Sequence, residues 1–172
     1  MVGRPRPAAD DGGSGSSDLL IESCDLGCDD LQACLSLDRL SLGGLWTAQQ
    51  WHTELDEPAR PVVGLRQQGE LLALACGWLV LDELHITAVA VAPARRRQGL
   101  GRQVLALLLK RGQGLGAIRA TLEVGRANVE ARALYGWFGF QEAGVRRAYY
   151  RNGEDALIQW LNLAKTTGWG NP

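Results

Sequence analysis

The chain has 172 residues and a net charge of −1, which suits one domain with its own core and argues against nonspecific nucleic-acid binding, since that needs a basic excess. No apolar run approaches the ~20 residues that span a bilayer, and the arginines near the N-terminus lead into no apolar stretch of the kind a secretory signal needs. Neither nucleic acid nor membrane is therefore expected as a partner, and a cytoplasmic location is.

Residues 1–18 are mostly Pro, Gly, Ser and Asp and read as a disordered tail that cannot repay the entropy of ordering. One domain over 19–164 should follow, with 165–172 a loose C-terminal tail. Leu19–Glu22 is a short strand candidate, and Leu26–Leu42 suits a helix. Cys24, Cys28 and Cys34 cluster without a CxxC pair or a nearby His, so reduced thiols are expected, with no metal site. Thr47 and Gln50 form a capping box that starts a second helix, with Trp46 as an apolar anchor before it. Val62–Arg66 and Leu71–Leu81 read as a hairpin across Gln68-Gly69, and Asp82-Glu83 turns into the strand His85–Val91. The helix Leu100–Arg111 carries Leu100, Val104, Leu107 and Leu108 on one stripe and should stop at Gly112. In Ile118–Val124, Ile118, Ala120, Leu122 and Val124 face one way, and Arg119, Thr121 and Glu123 the other. Asn128 caps the helix Val129–Phe138, which Gly139 ends. Phe140–Ala148 and Ala156–Leu163 form a last hairpin across Asn152-Gly153. Three strands joined by tight turns, then strand–helix–strand–helix–strand, predict a single-domain α/β sandwich with a mixed central sheet. That architecture alone fixes no function.

Chemistry concentrates where the strand His85–Val91 gives way, after Pro93, to three arginines and two glycines and then a helix. The first N–H groups of a helix lack internal partners and carry the positive end of its dipole, so this is the layout of an anion site. Gly99 and Gly101 have no Cβ, so the main chain can press against a phosphate. The spacing Arg96-x-x-Gly99-x-Gly101 lacks the third glycine of the Rossmann pattern. It resembles instead the pyrophosphate loop of the GCN5-related N-acetyltransferase (GNAT) family, which binds coenzyme A there. Leu122-Glu-Val-Gly-Arg-Ala-Asn128 and Ala133-Leu-Tyr-Gly-Trp-Phe-Gly-Phe140 look like later motifs of that family. Together with Trp46-Thr47, Arg146-Arg-Ala-Tyr-Tyr150 and Glu154-Asp-Ala, the pattern is similar to its RimI-type branch, the bacterial ribosomal-protein alanine N-acetyltransferases. The resemblance spans Trp46 to about Leu163.

The resemblance implies a GNAT-like sheet splayed beside His85–Val91, where the arm of acetyl-CoA pairs with Val89, Ala90 and Val91 like an added strand. One of their N–H groups would polarise the thioester carbonyl. Arg97, Gln98, Gly99, Leu100, Gly101 and Arg102 would wrap the diphosphate, and Asn128 would touch the cofactor. Glu123 would be the general base and Tyr135 the acid for the departing thiolate. Tyr149 and Tyr150 would help enclose the acceptor, a protein N-terminus and, by the RimI likeness, that of a ribosomal protein. Ala88 stands where relatives often carry Asn, which removes a polar contact to substrate.

Each residue also has a plainer reading. His85–Val91 fits a core strand, and the arginine run fits a solvated face. Glu123 could form an ion pair with Arg119 or Arg126, Asn128 could simply cap its helix, and Tyr135 could simply pack. Tyr149 and Tyr150 fit cross-strand packing, and Trp46 and Trp51 fit packing of the second helix. His52 and His85 read as surface or packing residues. Asp56, Glu57, Asp82 and Glu83 either attract a basic peptide or serve turns. A small-amine acetyltransferase and a silent acyl-CoA binder are the competing functions, the latter disfavoured by the presence of both Glu123 and Tyr135. Energetics favour an α-amine, which titrates near ~8, over lysine near ~10.4, whose deprotonation costs roughly 3 kcal/mol more.

Overall fold

The computed structural model of the chain describes residues 20–166 and Gly168. In chain order the elements are β1 (Glu22–Asp25), α1 (Leu31–Leu42), α2 (Ala48–Asp56), β2 (Val62–Gln67), β3 (Glu70–Val80), β4 (Glu83–Val91), α3 (Leu100–Gly114), β5 (Arg119–Gly125), α4 (Val129–Phe138), β6 (Gln141–Arg146) and β7 (Ala156–Asn162). The seven strands form one sheet ordered β1-β2-β3-β4-β5-β7-β6. Only β4 and β5 pair in parallel, which makes the sheet mixed as expected.

Helices cover the two faces unequally. On one face α3 and α4 bury Leu100, Val104, Leu105, Leu108, Leu109, Tyr135 and Phe138 against residues of β2–β5 and β7. On the other, Cys34, Leu35 and Leu37 of α1 and Trp51 and Leu55 of α2 bury against β2, β3 and β4. No residue of β5, β6 or β7 belongs to that second core. The sheet beyond β4 thus has one face clear of helix.

A bulge in β4 shapes the site. Gly77 pairs with Ile86 and Cys76 with Ala88, so Thr87 is an extra residue, and its hydroxyl donates to Cys76 O at 3.2 Å. An extra residue exchanges the two faces of a strand. Leu84 and Ile86 accordingly join the α3 core, whereas Ala88 and Ala90 join the α1–α2 core. A Cβ on Gly77 would lie 2.7 Å from His85 O, so only glycine lets the backbones approach this closely. Parallel pairing with β5 covers Glu83↔Arg119, Leu84↔Ala120 and His85↔Thr121 and ends there. From Ile86 onward β4 and β5 are unpaired, the splay that the family likeness implies.

Several boundaries differ from the sequence reading. The first strand lies at Glu22–Asp25 rather than Leu19–Glu22, because its place is set by pairing with Val63–Arg66. Leu26 starts no helix: its N–H bonds Val62 O, Asp30 caps Gly27 N, and α1 begins at Leu31 after a 3-10 turn at Cys28–Asp30. α3 continues through Gly112, where a Cβ would meet Leu84 Cδ2 at 2.7 Å, so that glycine permits close helix–sheet packing rather than ending the helix. Leu105 and Leu109 are fully buried on α3 while Leu107 is only half-buried, because the helix sits in a groove wider than one stripe. Ile118 is 48% exposed, since it precedes the strand and donates its N–H to Asp82 O. β6 ends at Arg146, before the positive φ of Ala148. Thr166 is not loose: it bonds Leu163 and Asn162 and accepts from Gln113. The expected tail 1–18, Leu19, Thr167 and residues 169–172 lie outside the described residues.

Candidate active site

The splay leaves one edge of β4 free. Ala92 N donates to Leu72 O, so by alternation Ala90 and Ala88 also turn their main-chain groups to β3. Val89 and Val91 then aim theirs at the open edge. Ser41, at the end of α1, reaches the same edge and donates to Val91 O at 3.0 Å. Of the three expected strand contacts, Val89 and Val91 are placed to pair with a ligand, and Ala90 is taken up by β3. Ala88 is buried in the α1–α2 core.

The arginine run divides its labour. Arg95 bonds Gln98 Oε1 at 3.0 Å and Gln67 Oε1 at 2.9 Å, and Arg96 bonds Ser41 O at 3.3 Å, so both brace the loop. Arg97 stands at φ +61 and Gly99 at φ +80. Left-handed backbone is costly for a side-chain-bearing residue and concentrates at ligand clamps. Gly99 is the N-cap of α3 and offers no side chain, and the first helical bond runs from Gln103 N to Gly99 O. The N–H groups of Leu100, Gly101 and Arg102 are thus available to an anion, while the Leu100 side chain is buried. A Cβ on Gly101 would make only ordinary contacts, 3.6 Å to Leu134 and 3.8 Å to Val91. The fold itself would accept alanine there, so the bare backbone fits a ligand that lies against it. Arg102 stacks over Trp137 at 4.8 Å, bringing a cation to the same helix end.

Glu123 lies on β5 two residues beyond the last β4–β5 pair, at the point where the strands part. Its side chain is 12% exposed. One carboxylate oxygen is 2.6 Å from His85 Nε2, and the other is 3.4 Å from Arg146 Nε. Neither Arg119 nor Arg126 is its partner; Arg119 faces Asp82 and Glu83 instead, because it sits four residues back on the paired part of β5. His85 is accordingly a member of the site and no mere packing residue. Finding it from sequence would have required the parallel register that sets His85 opposite Thr121.

Tyr135 is buried on α4 and packs edge-on to Phe140 at 5.7 Å. Desolvation, with a smaller contribution from Tyr150, pushes its hydroxyl up to about 12, so the proton is retained at neutral pH. Tyr150 is raised in the same direction, first by burial and then by Tyr149, Glu123 and Glu154. Tyr149 is 49% exposed and packs edge-on to Tyr150 at 5.1 Å. Asn128 performs the helix-capping role, its Oδ1 accepting from Ala131 N at 3.2 Å. It also lines an open cleft of about 490 Å³ with Gly125, Tyr150, Arg151, Asn152 and Glu154. Glu154, which the motif contained without a role, accepts from Ala127 N at 2.8 Å and packs on Gly125 where a side chain would collide. His52 and Asp56 remain outside this cluster. Trp46 and Trp51 pack edge-on at 4.9 Å in the α1–α2 layer, as expected.

Among the described residues no group of His, Cys, Asp and Glu could hold a metal ion, and no helix is long and apolar enough to cross a membrane.

The geometry has counterparts among known proteins. The model of the acetyltransferase (GNAT) family matches residues 29–140, and the chain belongs to that family. Within it the chain is an N-acetyltransferase of the RimI type. It is 37% identical over 134 residues to the N-alpha-acetyltransferase RimI of Mycobacterium tuberculosis, covering 74% of this chain and 83% of that one. It is 41% identical over 103 residues to the ribosomal protein bS18-alanine N-acetyltransferase of Escherichia coli K12, covering 58% and 70%. The crystal structure of the Escherichia coli ribosomal-protein-S18-alanine N-acetyltransferase superposes with a TM-score of 0.78 at 32% identity, over 86% of this chain and 96% of that one. Arabidopsis thaliana NAA60 in complex with acetyl-CoA shares the fold, with a TM-score of 0.75 at 16% identity over 83% of this chain and 98% of that one.

Proposed function

We propose that the chain moves an acetyl group from acetyl-CoA to the free α-amine of a protein that begins with a small residue such as Ala, a ribosomal protein as in its RimI-type relatives. The observation that carries the reading is the position of Glu123. A shielded carboxylate stands where β4 and β5 part, beside a free strand edge that leads to an uncapped helix N-terminus.

Acetyl-CoA supplies the activated thioester. Val89 and Val91 hold its arm through the free edge of β4, as an added strand does. The main chain from Arg97 to Arg102 receives the diphosphate, with the Arg97 and Arg102 side chains adding charge. Asn128, at the start of α4, closes the cofactor side. The acceptor amine approaches over the helix-free face of β5, β6 and β7, where Arg146 and Tyr150 meet Glu123. Glu123 takes a proton from the ammonium, and the amine nitrogen is then free to attack. Tyr135 keeps its hydroxyl proton at neutral pH and gives it to the leaving sulfur. No metal and no covalent enzyme adduct enter this scheme. The residues assemble in one fold over 20–164, which acts as a single acetyltransferase domain.

The test offers an Ala-initial basic peptide, its N-terminally blocked twin and spermidine, with acetyl incorporation read by mass spectrometry. Acetylation of the free α-amine alone is expected. Modification of the blocked peptide on lysine, or faster turnover of spermidine, overturns the acceptor assignment.

A further inference from the structure

We propose that Ser41 holds the place of the cofactor's arm on β4. Its hydroxyl occupies the Val91 carbonyl in the free protein and yields it when acetyl-CoA binds. The identity of the arriving ligand rests on the acetyl-transfer reading above; the bond it displaces does not.

The bond runs against local preference. Ser41 lies on the last turn of α1, where a serine hydroxyl commonly faces solvent or turns back to the carbonyl four residues earlier. Here it donates instead to Val91 O at 3.0 Å, 50 residues away in the chain. That carbonyl belongs to no strand pair on its open side, because the β4–β5 pairing ends at His85↔Thr121. An unpaired strand edge is a row of unmet donors and acceptors, and Ser41 meets one of them.

Val91 is also where the arm arrives first. It is the last residue of β4, next to the turn that receives the diphosphate, and a Cβ on Gly101 would stand 3.8 Å from its Cγ2. An arm leaving that turn meets Val91 before Val89. Each amide of the arm carries an N–H. Pairing as an added strand brings that N–H to the carbonyl the Ser41 hydroxyl now holds. The hydroxyl can then fall back on Leu37 O, one turn earlier in its own helix, so the exchange trades one bond for another. Because the contact meets the arm and not the acetyl group, it loosens acetyl-CoA and spent CoA alike, and so helps product to leave.

The rest of this junction does not depend on the hydroxyl. Arg96 donates to the main-chain carbonyl of Ser41 at 3.3 Å. Asp38, on the same helix, accepts from Leu45 N and Trp46 N and holds the α1–α2 connection. Changing the Ser41 side chain therefore leaves the arginine turn and the connection in place.

Calorimetry tests the exchange with three ligands: acetyl-CoA, CoA, and 3′-phosphoadenosine 5′-diphosphate, which is the nucleotide half without the arm. Ser41→Ala should bind acetyl-CoA and CoA about 2–10-fold more tightly than the native protein, the factor that one net hydrogen bond represents. The nucleotide half should bind both proteins alike. Alanine's higher helix propensity acts on free and bound protein equally and cancels from these ratios. Ser41→Cys, of nearly the same size but a weak donor, should tighten binding in the same direction, and Ser41→Thr, which keeps the hydroxyl, should bind as the native protein does. Unchanged acetyl-CoA affinity in Ser41→Ala would mean that hydroxyl and arm share the two lone pairs of Val91 O, and overturns the exchange. Weaker binding, or equal tightening of the nucleotide half, overturns it as well. Those outcomes leave the cofactor reading standing. A native protein that binds the nucleotide half as tightly as acetyl-CoA overturns the strand slot itself, and the exchange with it.

Discussion

Asp38 is 1% exposed, yet it is a carboxylate in the α1–α2 layer. It accepts from Leu45 N at 2.7 Å, Trp46 N at 3.1 Å and Trp51 Nε1 at 2.8 Å, and so folds the α1–α2 connection onto the core. Replacing Asp38 with alanine orphans all three donors at unequal cost. Trp51 is 0% exposed, so its indole N–H has no route to water and should cost about 1–3 kcal/mol. Leu45 is 46% exposed and Trp46 half-buried, so water can replace the carboxylate there, at about 1 kcal/mol each. Removing a buried charge returns a little of this. The expected loss is roughly 3–4 kcal/mol, a fall in Tm of about 6–16 °C for a chain of 172 residues. Urea denaturation gives the loss from the midpoint, with the slope unchanged. A double-mutant cycle isolates the decisive bond. Trp51→Phe leaves the same cavity in either background, but in Asp38→Ala it removes a donor already orphaned. It should therefore cost about 1–3 kcal/mol less there than in the native protein. Additivity within about 0.5 kcal/mol refutes the assignment of the cost to the indole N–H.

Arg97→Glu and Gly101→Val should each weaken acetyl-CoA binding by calorimetry at least about tenfold (~1.4 kcal/mol), one by charge and one by blocking the backbone. Gly101→Ala should leave thermal stability nearly unchanged, because a Cβ there meets only Leu134 and Val91 at ordinary distances. Tyr135→Phe should lower kcat by about 10²-fold with little change in acetyl-CoA affinity. The Tyr135 hydroxyl is held up to about 12 in the fold, against ~10 when unfolded, so it contributes stability that is whole below pH ~10 and lost as pH rises through 12. Alkaline denaturation of Tyr135→Phe should be flatter in that window. Burial pushes the Cys34 and Cys76 thiols up to about 12, so a thiol reagent at pH 8 should label Cys24 and Cys28 and reach the other two only in denaturant.

Local chemistry was legible where cause and effect lie within a few residues. The capping box formed as read, Thr47 accepting from Gln50 N at 3.2 Å and Gln50 Oε1 from Thr47 N at 2.9 Å. Asn128 caps α4, Gly139 ends it at φ +87, and the basic glycine turn opens α3. Hairpins, helices and the mixed sheet followed, because turn residues and apolar periodicity act over short spans. Boundaries failed where a partner distant in sequence decided them: β1 by its register with β2, and the length of α3 by Gly112 resting on Leu84.

The sequence by itself determined which side chains could do acid–base chemistry and which backbone could receive a phosphate. It also held the one-residue surplus at Thr87 that exchanges the faces of β4, but a surplus is visible only against a partner strand. Tertiary structure decided the neighbours. Only the parallel register of β4 and β5 brings His85 to Glu123 across 38 residues, and only the β7–β6 pairing brings Arg146 to the same carboxylate. Periodicity places a side chain on a face. Which charges share that face depends on strand order and register, and these are settled by burial of the sheet's apolar faces against its helices.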